Sequence, residues 1–475
     1  MTTTKITINP VTRIEGHAKI TIHVDDAGKV QKAYFHVNEF RGFEKFCEGR
    51  LYTEMPSITP RICGICPTSH SMASAKACDA IQRLTPTPTG VLLRRLVQAG
   101  QIVSSHALSF FHLSSPDMLL GFDSDPAKRN VLGLAEKDPG LAVKGIRLRK
   151  FGQEVSERLT GKKIHVLGVV PGGMAYALKE EDRQALLAWI PEALATSHAA
   201  LSILKGYISA NKTMVDSFAM FQSPYLGTVG PDGELDFYDG ELRWVDPDGK
   251  IMTQVPSSRF QEFIAERSMD FTYLKYPYYK PLGFEKGFYQ VGTLGRMNAA
   301  SKMSTPLAQK EFTEFRSLNG GKPVHGAFYH HYARLVEMLH AVEMVQRLLE
   351  DPRITSTDIQ AHGHRNAPEG IGHTEAPRGT LFHHYRVDET GALTKVNLLI
   401  ATGQNNPAMN QAITEVAKQY VDGNKVTEGA LNRVEHAIRC YDPCLSCSTH
   451  AIGQMPMDVE LQGPGGEVLD HVVKG

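Results

Sequence analysis

Neither sign of charge prevails in this sequence: 51 Lys and Arg stand against 51 Asp and Glu. A balanced chain has no bulk field to draw in nucleic acid or an acidic partner. Long hydrophobic runs are missing too. The apolar stretches are short and interrupted by charge or glycine, so no membrane span is expected. Met1 to Pro10 lacks the basic and apolar regions of a secretory signal, which points to the cytoplasm. No G-x-G-x-x-G followed by a suitable acid occurs, and with it goes the usual cradle for a dinucleotide. Internal repeats and low-complexity tracts are absent. Cysteine is scarce, and its number, seven, is odd. That excludes a disulfide framework; in a reducing compartment, close cysteine pairs indicate metal binding or redox work.

The 475 residues suit one large domain or two fused ones, with length to bury a deep core. Residues 1–40 form a β-rich segment. Ile6 to Ile8, Ala18 to Val24 and Val30 to Val37 are β-branched or alternating, with a hairpin turn at Asp25 to Gly28. Gly90 to Leu113 is apolar on most faces and predicts a buried helix. Asp182 to Ala210 and Ala327 to Leu349 predict two more. Between them, Asp232-Gly233, Asp239-Gly240 and Asp248-Gly249 are turn signals of a β-rich insert over 225–256. A further hairpin is expected at Phe382 to Ile400. A last helix, Glu428 to Arg439, runs into Asp442-Pro443, which stops it. The fold class expected is α+β and predominantly α-helical: a central buried helix bundle with peripheral β-hairpins and small sheets.

Two segments carry the chemistry. Arg61-Ile62-Cys63-Gly64-Ile65-Cys66-Pro67-Thr68-Ser69-His70 and Asp442-Pro443-Cys444-Leu445-Ser446-Cys447-Ser448-Thr449-His450 each hold a C-x-x-C pair followed by a histidine. A C-x-x-C turn lets two thiolates face one metal, and two such turns make an S4 site. The ordinary reading is structural zinc. Against it, structural zinc pairs usually lie within tens of residues, a chain this long needs no zinc to build a core, and the trailing histidines exceed four-coordinate demand.

The two segments resemble the signature motifs of nickel–iron hydrogenase large subunits. Three more match in order: Arg13-Ile14-Glu15-Gly16-His17, Arg41-Gly42-Phe43-Glu44 and Glu375-Ala376-Pro377-Arg378-Gly379. The resemblance runs from about residue 5 to the C-terminus. It implies that nickel is held by Cys63, Cys66, Cys444 and Cys447. Cys66 and Cys447 would bridge to an iron carrying carbon monoxide and cyanide, and the chain would split dihydrogen reversibly and heterolytically into protons and hydride or electrons. Cys444 would be the first base and Glu15 the next proton acceptor, a carboxyl whose apolar setting suits a shuttle. The ordinary alternative for Glu15 is a salt bridge to Arg13. Arg378 would sit over the diatomic ligands and Pro377 would line their pocket. Thr402 would donate to cyanide, within an Ala401-Thr402-Gly403-Gln404-Asn405 run that departs from the P-T-x-W-N of many respiratory members. Asp117 and Asp442 would contact Arg378, and His70 would hydrogen-bond a bridging sulfur. Glu44 and His450 would bind magnesium, joined by a carbonyl near Leu398. The ordinary alternative for Glu44 is an ion pair with Arg41.

Cys47, Cys78 and Cys440 have no matching pair and read as small buried residues. His383-His384 keeps some interest because it follows Arg378 closely. Without a third cysteine cluster, iron–sulfur clusters must lie in a small-subunit partner. The runs Arg41 to Phe46, Asp442 to Cys447 and Gln404 to Pro407 look like the NAD-reducing, bidirectional soluble group, whose separate diaphorase subunits bind FMN and NAD. This chain is then expected to bind neither. The resemblance also implies a single domain over 1–450 and a 451–475 extension removed by an endopeptidase cutting after His450. The alternatives are a cofactor-F420-linked or sulfur-reducing relative, a zinc scaffold or hydrogen sensor, and a quinone-site subunit of the complex I type.

Overall fold

The structure, a computed structural model, describes residues 4–449, 457–462 and 468–474. His450 and the expected cleavage point after it lie outside the described residues. Thr4–Ile8, Lys19–Val24 and Val30–His36 form an antiparallel sheet in sequence order. The expected turn joins the last two strands, with Asp25 Oδ1 accepting from the Ala27 and Lys29 amides. Ile20, Ile22, Ala33 and Phe35 are buried beneath it.

The centre is a helix, Tyr329–Glu350, buried on nearly every face. Pro88–Ala107 and Ile190–Ala210 pack against it, and Pro139–Thr160 packs on Pro88–Ala107. The helix expected over Gly90 to Leu113 is present, but Leu108–Ser114 opens into wide π turns. Pro116 follows; it has no N–H to give and its ring clashes with the carbonyl four residues back, so the widened turn relieves the conflict. The helix expected from Asp182 to Ala210 is two, Glu180–Leu187 and Ile190–Ala210, divided just before Pro191. By length and composition alone the stretch Glu180–Ala210 is long and apolar enough to cross a membrane. In the fold, Ala193, Ser197, Ala200, Leu201 and Leu204 face the core.

The β-rich insert is found as Tyr225–Val229, Glu241–Val245 and Ile251–Pro256, and a second hairpin, Ile264–Met269 with Thr272–Tyr279, follows it. The later hairpin has a third strand: Glu369–Ala376 pairs with Gly379–Val387, which pairs with Leu393–Leu399. Three long helices lie where no periodicity pointed to them: Pro67–Gln82, Pro139–Thr160 and Asn406–Tyr420. Pro67–Gln82 is Ser- and Ala-rich and buried almost all round, so it shows no apolar stripe. Glu428–Tyr441 ends as expected before Pro443, with Asp442 in the left-handed region. In the tail, Met457–Gln462 and Val468–Lys474 pair as an antiparallel hairpin.

The Pro88–Ala107 and Pro139–Thr160 helices meet backbone to backbone. A Cβ on Gly152 would sit 2.3 Å from the Gly100 carbonyl oxygen, and one on Gly100 would sit 2.8 Å from Val155 Cβ. Gly152→Ala therefore has to push the helices apart. It should destabilise the protein by about 1–3 kcal/mol, as overpacking a tight core does. Thermal unfolding reads this directly; an unchanged midpoint would mean that the helix pair yields without cost.

Candidate metal centre

The four motif cysteines stand at the ends of local turns. Cys63 closes the Thr59–Ile62 turn and Cys66 caps the Pro67–Gln82 helix. Cys444 caps the short Leu445–Ser448 helix, which carries Cys447. Gln101, from the Pro88–Ala107 helix, braces the first loop by accepting from the Thr68 amide at 3.1 Å and donating to the Ile65 carbonyl at 2.7 Å. The sulfurs converge: Cys63 to Cys444 is 3.1 Å, Cys66 to Cys447 3.3 Å and Cys444 to Cys447 3.0 Å. All four are buried. Burial pushes the Cys444 and Cys447 thiols well up, while hydrogen bonds from Cys444 and its neighbours pull Cys63 well down. Four thiolates gathered in one buried place repel one another and would need a cation among them. Four soft donors in one dry spot suit a soft-leaning transition metal.

A small pocket opens beside the sulfurs, walled by Ala376, Pro377, Leu381, Ile400 and Ala401, with His70, Arg378 and Thr402 as polar members. Arg378 donates through Nε to the Asp442 carbonyl, its Nη2 lies 3.0 Å from the Asp442 carboxylate, and Nη1 reaches Ser105 Oγ at 3.4 Å. The Nη2 contact lacks hydrogen-bond geometry, so a buried donor is left for something else at the pocket. Facing carboxylate and sulfurs keep the guanidinium firmly charged. Thr402 Oγ1 accepts from the Cys444 amide at 3.0 Å, which leaves its own proton to donate. The donor set, the apolar wall and the spare guanidinium donor fit a nickel–iron centre.

Glu15 lies against the second cysteine loop. Its backbone bridges to Cys444, its carbonyl accepts from the Leu445 amide at 3.2 Å, and its carboxylate accepts from the Ser446 amide at 3.0 Å and from the Ser446 hydroxyl. Arg13 is not its partner; that guanidinium goes to Asp117 and to the Leu113 carbonyl. His70 Nε2 lies 3.3 Å from Cys447 Sγ, as expected, and its Nδ1 is 3.1 Å from His383 Nε2. His383 then meets Tyr385 Oη at 2.6 Å, which donates to Ser74. Glu44 Oε1 accepts from the Leu398 amide at 2.7 Å. Arg41 does not pair with Glu44. Its side chain caps the carbonyls of Ile62, Arg61 and Ser446, and its amide donates to the Thr449 carbonyl.

One expectation is corrected. Asp117 does not contact Arg378. Its carboxylate is taken by Arg13, by Arg439 at 2.9 Å, by His436 at 2.7 Å and by Asn432 at 3.1 Å. Against its burial, the Arg439 and Arg13 guanidinium groups and the His436 hydrogen bond hold it far below the ordinary carboxylate range. The place beside Arg378 is filled by Asp442 and Ser105. A second group, His331, His436 and Cys440, has ligand-like spacing, but its protons are already assigned. Arg334 can only donate to His331 Nδ1, so His331 Nε2 carries a proton; that proton faces His436 Nε2, whose Nδ1 donates to Asp117. No lone pair is left on His331 for a metal. Cys47, Cys78 and Cys440 are buried, as expected.

Sequence reading missed the group behind Arg378: Arg296, Glu337, Glu375 and His106, all buried. Only Glu375 belongs to a quoted motif, and Gly292-Thr293-Leu294-Gly295-Arg296 carries no signal for a buried ion cluster.

Comparison with known proteins places the chain. The nickel-dependent hydrogenase family model matches residues 41–128 and 244–450, and a HoxL-like model matches 5–40. The beta subunit of the NAD-reducing hydrogenase HoxS of Cupriavidus necator is 41% identical over 98% of this chain and 99% of that protein. The F420-non-reducing hydrogenase vhc of Methanococcus voltae contributes a relative that is 42% identical over 98% of this chain and 99% of its own length. The crystal structure of a NAD+-reducing NiFe-hydrogenase in the H2-reduced state superposes with a TM-score of 0.92 at 41% identity, over 95% of this chain and all of that one. The NiFeSe hydrogenase of D. vulgaris Hildenborough, at 24% identity and a TM-score of 0.78, shares the fold. With the S4 cluster and its pocket in place, the chain belongs to the nickel-dependent hydrogenase family, as its large, catalytic component.

Proposed function

We propose that the chain splits and forms dihydrogen at a nickel–iron centre and passes the electrons, through a small subunit with iron–sulfur clusters, to diaphorase subunits that bind FMN and reduce NAD+. The observation that carries this is the convergence of Cys63, Cys66, Cys444 and Cys447 beside a pocket that His70, Arg378 and Thr402 line with polar groups. The similarity to NAD-reducing relatives supports the acceptor. When bound, the nickel–iron centre supplies the Lewis acidity that polarises dihydrogen and the redox capacity that takes its electrons.

Cys63, Cys66, Cys444 and Cys447 would hold nickel, and Cys66 and Cys447 would also serve iron. The apolar wall would admit carbon monoxide and cyanide, and Arg378 and Thr402 would donate to cyanide. Cys444 Sγ takes the first proton and the Glu15 carboxylate receives it next; Ser446 grips both Glu15 oxygens and fixes their distance from the Cys444 loop. His70 donates toward Cys447 Sγ and Asp442 steadies Arg378. Glu44, the Leu398 carbonyl and His450 hold magnesium, and removal of 451–475 by an endopeptidase after His450 leaves one 1–450 domain working in the cytoplasm.

Elemental analysis of the chain in its native complex should find about one nickel per polypeptide, with iron beyond the partner's clusters. Zinc alone, in a chain already cut after His450, would make the cysteines structural and end this reading. Glu15→Gln should keep both metals and slow hydrogen–deuterium exchange sharply; full turnover in that variant would remove Glu15 from the proton path. Asp117→Asn leaves Arg13 and Arg439 short of charge in a buried place, at a cost of about 3–5 kcal/mol, read in urea unfolding. Since the folded-state Asp117 pKa is depressed, its contribution is full above the unfolded value near 3.9 and fades as pH falls below it. A wild-type advantage that persisted undiminished well below that pH would contradict the assignment.

A further inference from the structure

The pocket's guanidinium depends on a second one. Arg378 sits in the two-residue link between two strands, Glu369–Ala376 and Gly379–Val387, which the strand ladder closes at Ala376 and Gly379 without reaching the Arg378 side chain. Behind it lies Arg296, fully buried in the Gly292–Ala299 helix. Arg296 makes five bonds. Nε and Nη2 grip the two oxygens of Glu337 at 2.8 and 2.7 Å. Nη1 holds the Glu375 carboxylate and the Ala376 carbonyl, both at 2.8 Å, and Nη2 also holds the Pro377 carbonyl at 3.1 Å. Three successive residues before Arg378 are thus tied to one planar group, which is in turn tied to the central helix through Glu337.

The backbones come as close as the side chains. A Cβ on Gly292 would lie 2.8 Å from the Arg378 carbonyl oxygen, and one on Gly379 would lie 2.7 Å from the Gly292 amide nitrogen. Both glycines also adopt positive φ, 83° and 132°. The helix start and the link are therefore pressed together on both sides of Arg378. Thr228 and Thr380 donate to the remaining oxygen of Glu375, each at 2.8 Å, so the anchor itself is immobile.

We infer that Arg296 is a positioning residue for hydrogen turnover: it fixes the Glu375–Arg378 link, and so the height of the Arg378 guanidinium over the sulfur-lined pocket. The inference rests on the role proposed above for Arg378. A lysine in place of Arg296 would keep the charge. It lacks the planar fork, so it cannot hold Glu337 and three link residues together.

The test uses the whole complex. Arg296→Lys and the milder Glu337→Gln are compared with wild type for nickel and iron content, for the infrared stretching bands of diatomic ligands on the metal, and for hydrogen uptake at saturating substrate. Arg378→Lys is run beside them. The expected result is a variant that binds nickel and iron as wild type does, shows displaced infrared bands and loses turnover by up to about 100-fold, the scale of a 1 Å misplacement. Glu337→Gln should shift the same bands the same way by less, which covers the case in which Arg296→Lys does not fold. Native bands and native turnover in a fully loaded Arg296→Lys enzyme would overturn the inference, because charge alone would then suffice. If Arg378→Lys is itself indistinguishable from wild type, the role of Arg378 fails instead.

Discussion

Everything in this molecule answers to one constraint: four sulfurs from opposite ends of the chain must meet in a dry interior. Cys63 and Cys66 lie near its start and Cys444 and Cys447 near its end, yet their sulfurs stand 3.0–3.3 Å apart across and within the two loops. Short local turns fix each pair, but only the intervening helices can bring the pairs together. That is why the central bundle is so tightly built, with glycine-to-glycine contact between two of its helices. Its Gln98, Gln101 and Ser105 side chains then reach, respectively, the Glu375 carbonyl, the first cysteine loop and Arg378.

A dry interior makes charge costly, and the protein meets that cost with closed ion groups. Asp117 is enclosed by Arg13, Arg439 and His436; Glu337 and Glu375 enclose Arg296; Asp79 holds Arg94 at 2.6 Å. Such pairs add little net stability against a hydrophobic equivalent, but losing one member is expensive. What they give here is direction. Two of these groups tie a segment that touches the cysteines: Asp117 ties the Arg13–Glu15 turn, and Arg296 ties the link that bears Arg378.

The site was more legible in the sequence than the scaffold. Thiolates in C-x-x-C spacing, a proline after aspartate and Glu375 to Gly379 announce their chemistry by residue type and order. Glu15 and Thr402 meet the Cys444 loop, His70 meets Cys447, and Glu44 meets Leu398. The scaffold's alternating strands and the apolar helix before Leu113 could also be read, because their patterns are periodic. Pro67–Gln82 could not, since a helix of small residues buried on all sides has no stripe to detect. Asp117 was placed beside the wrong arginine: motif order gives a neighbourhood, but the wide turns at Leu108–Ser114 and the competing charges of Arg13 and Arg439 decide where a carboxylate points. Arg296 left no trace, since a buried arginine is known only by the acceptors that three-dimensional packing brings to it.

The bond between Glu15 and the Ser446 loop also sets an order in time. Every long helix precedes Cys444 in the sequence, so a growing chain emerges with two sulfurs, a free carboxylate and most of its core before the other half of the ligand set exists. In the folded chain Cys444 and Cys447 lie in a berth bordered by the Glu15 turn, Thr402 and Arg378. The closing segment docks onto surfaces already built, and the centre is sealed from outside in.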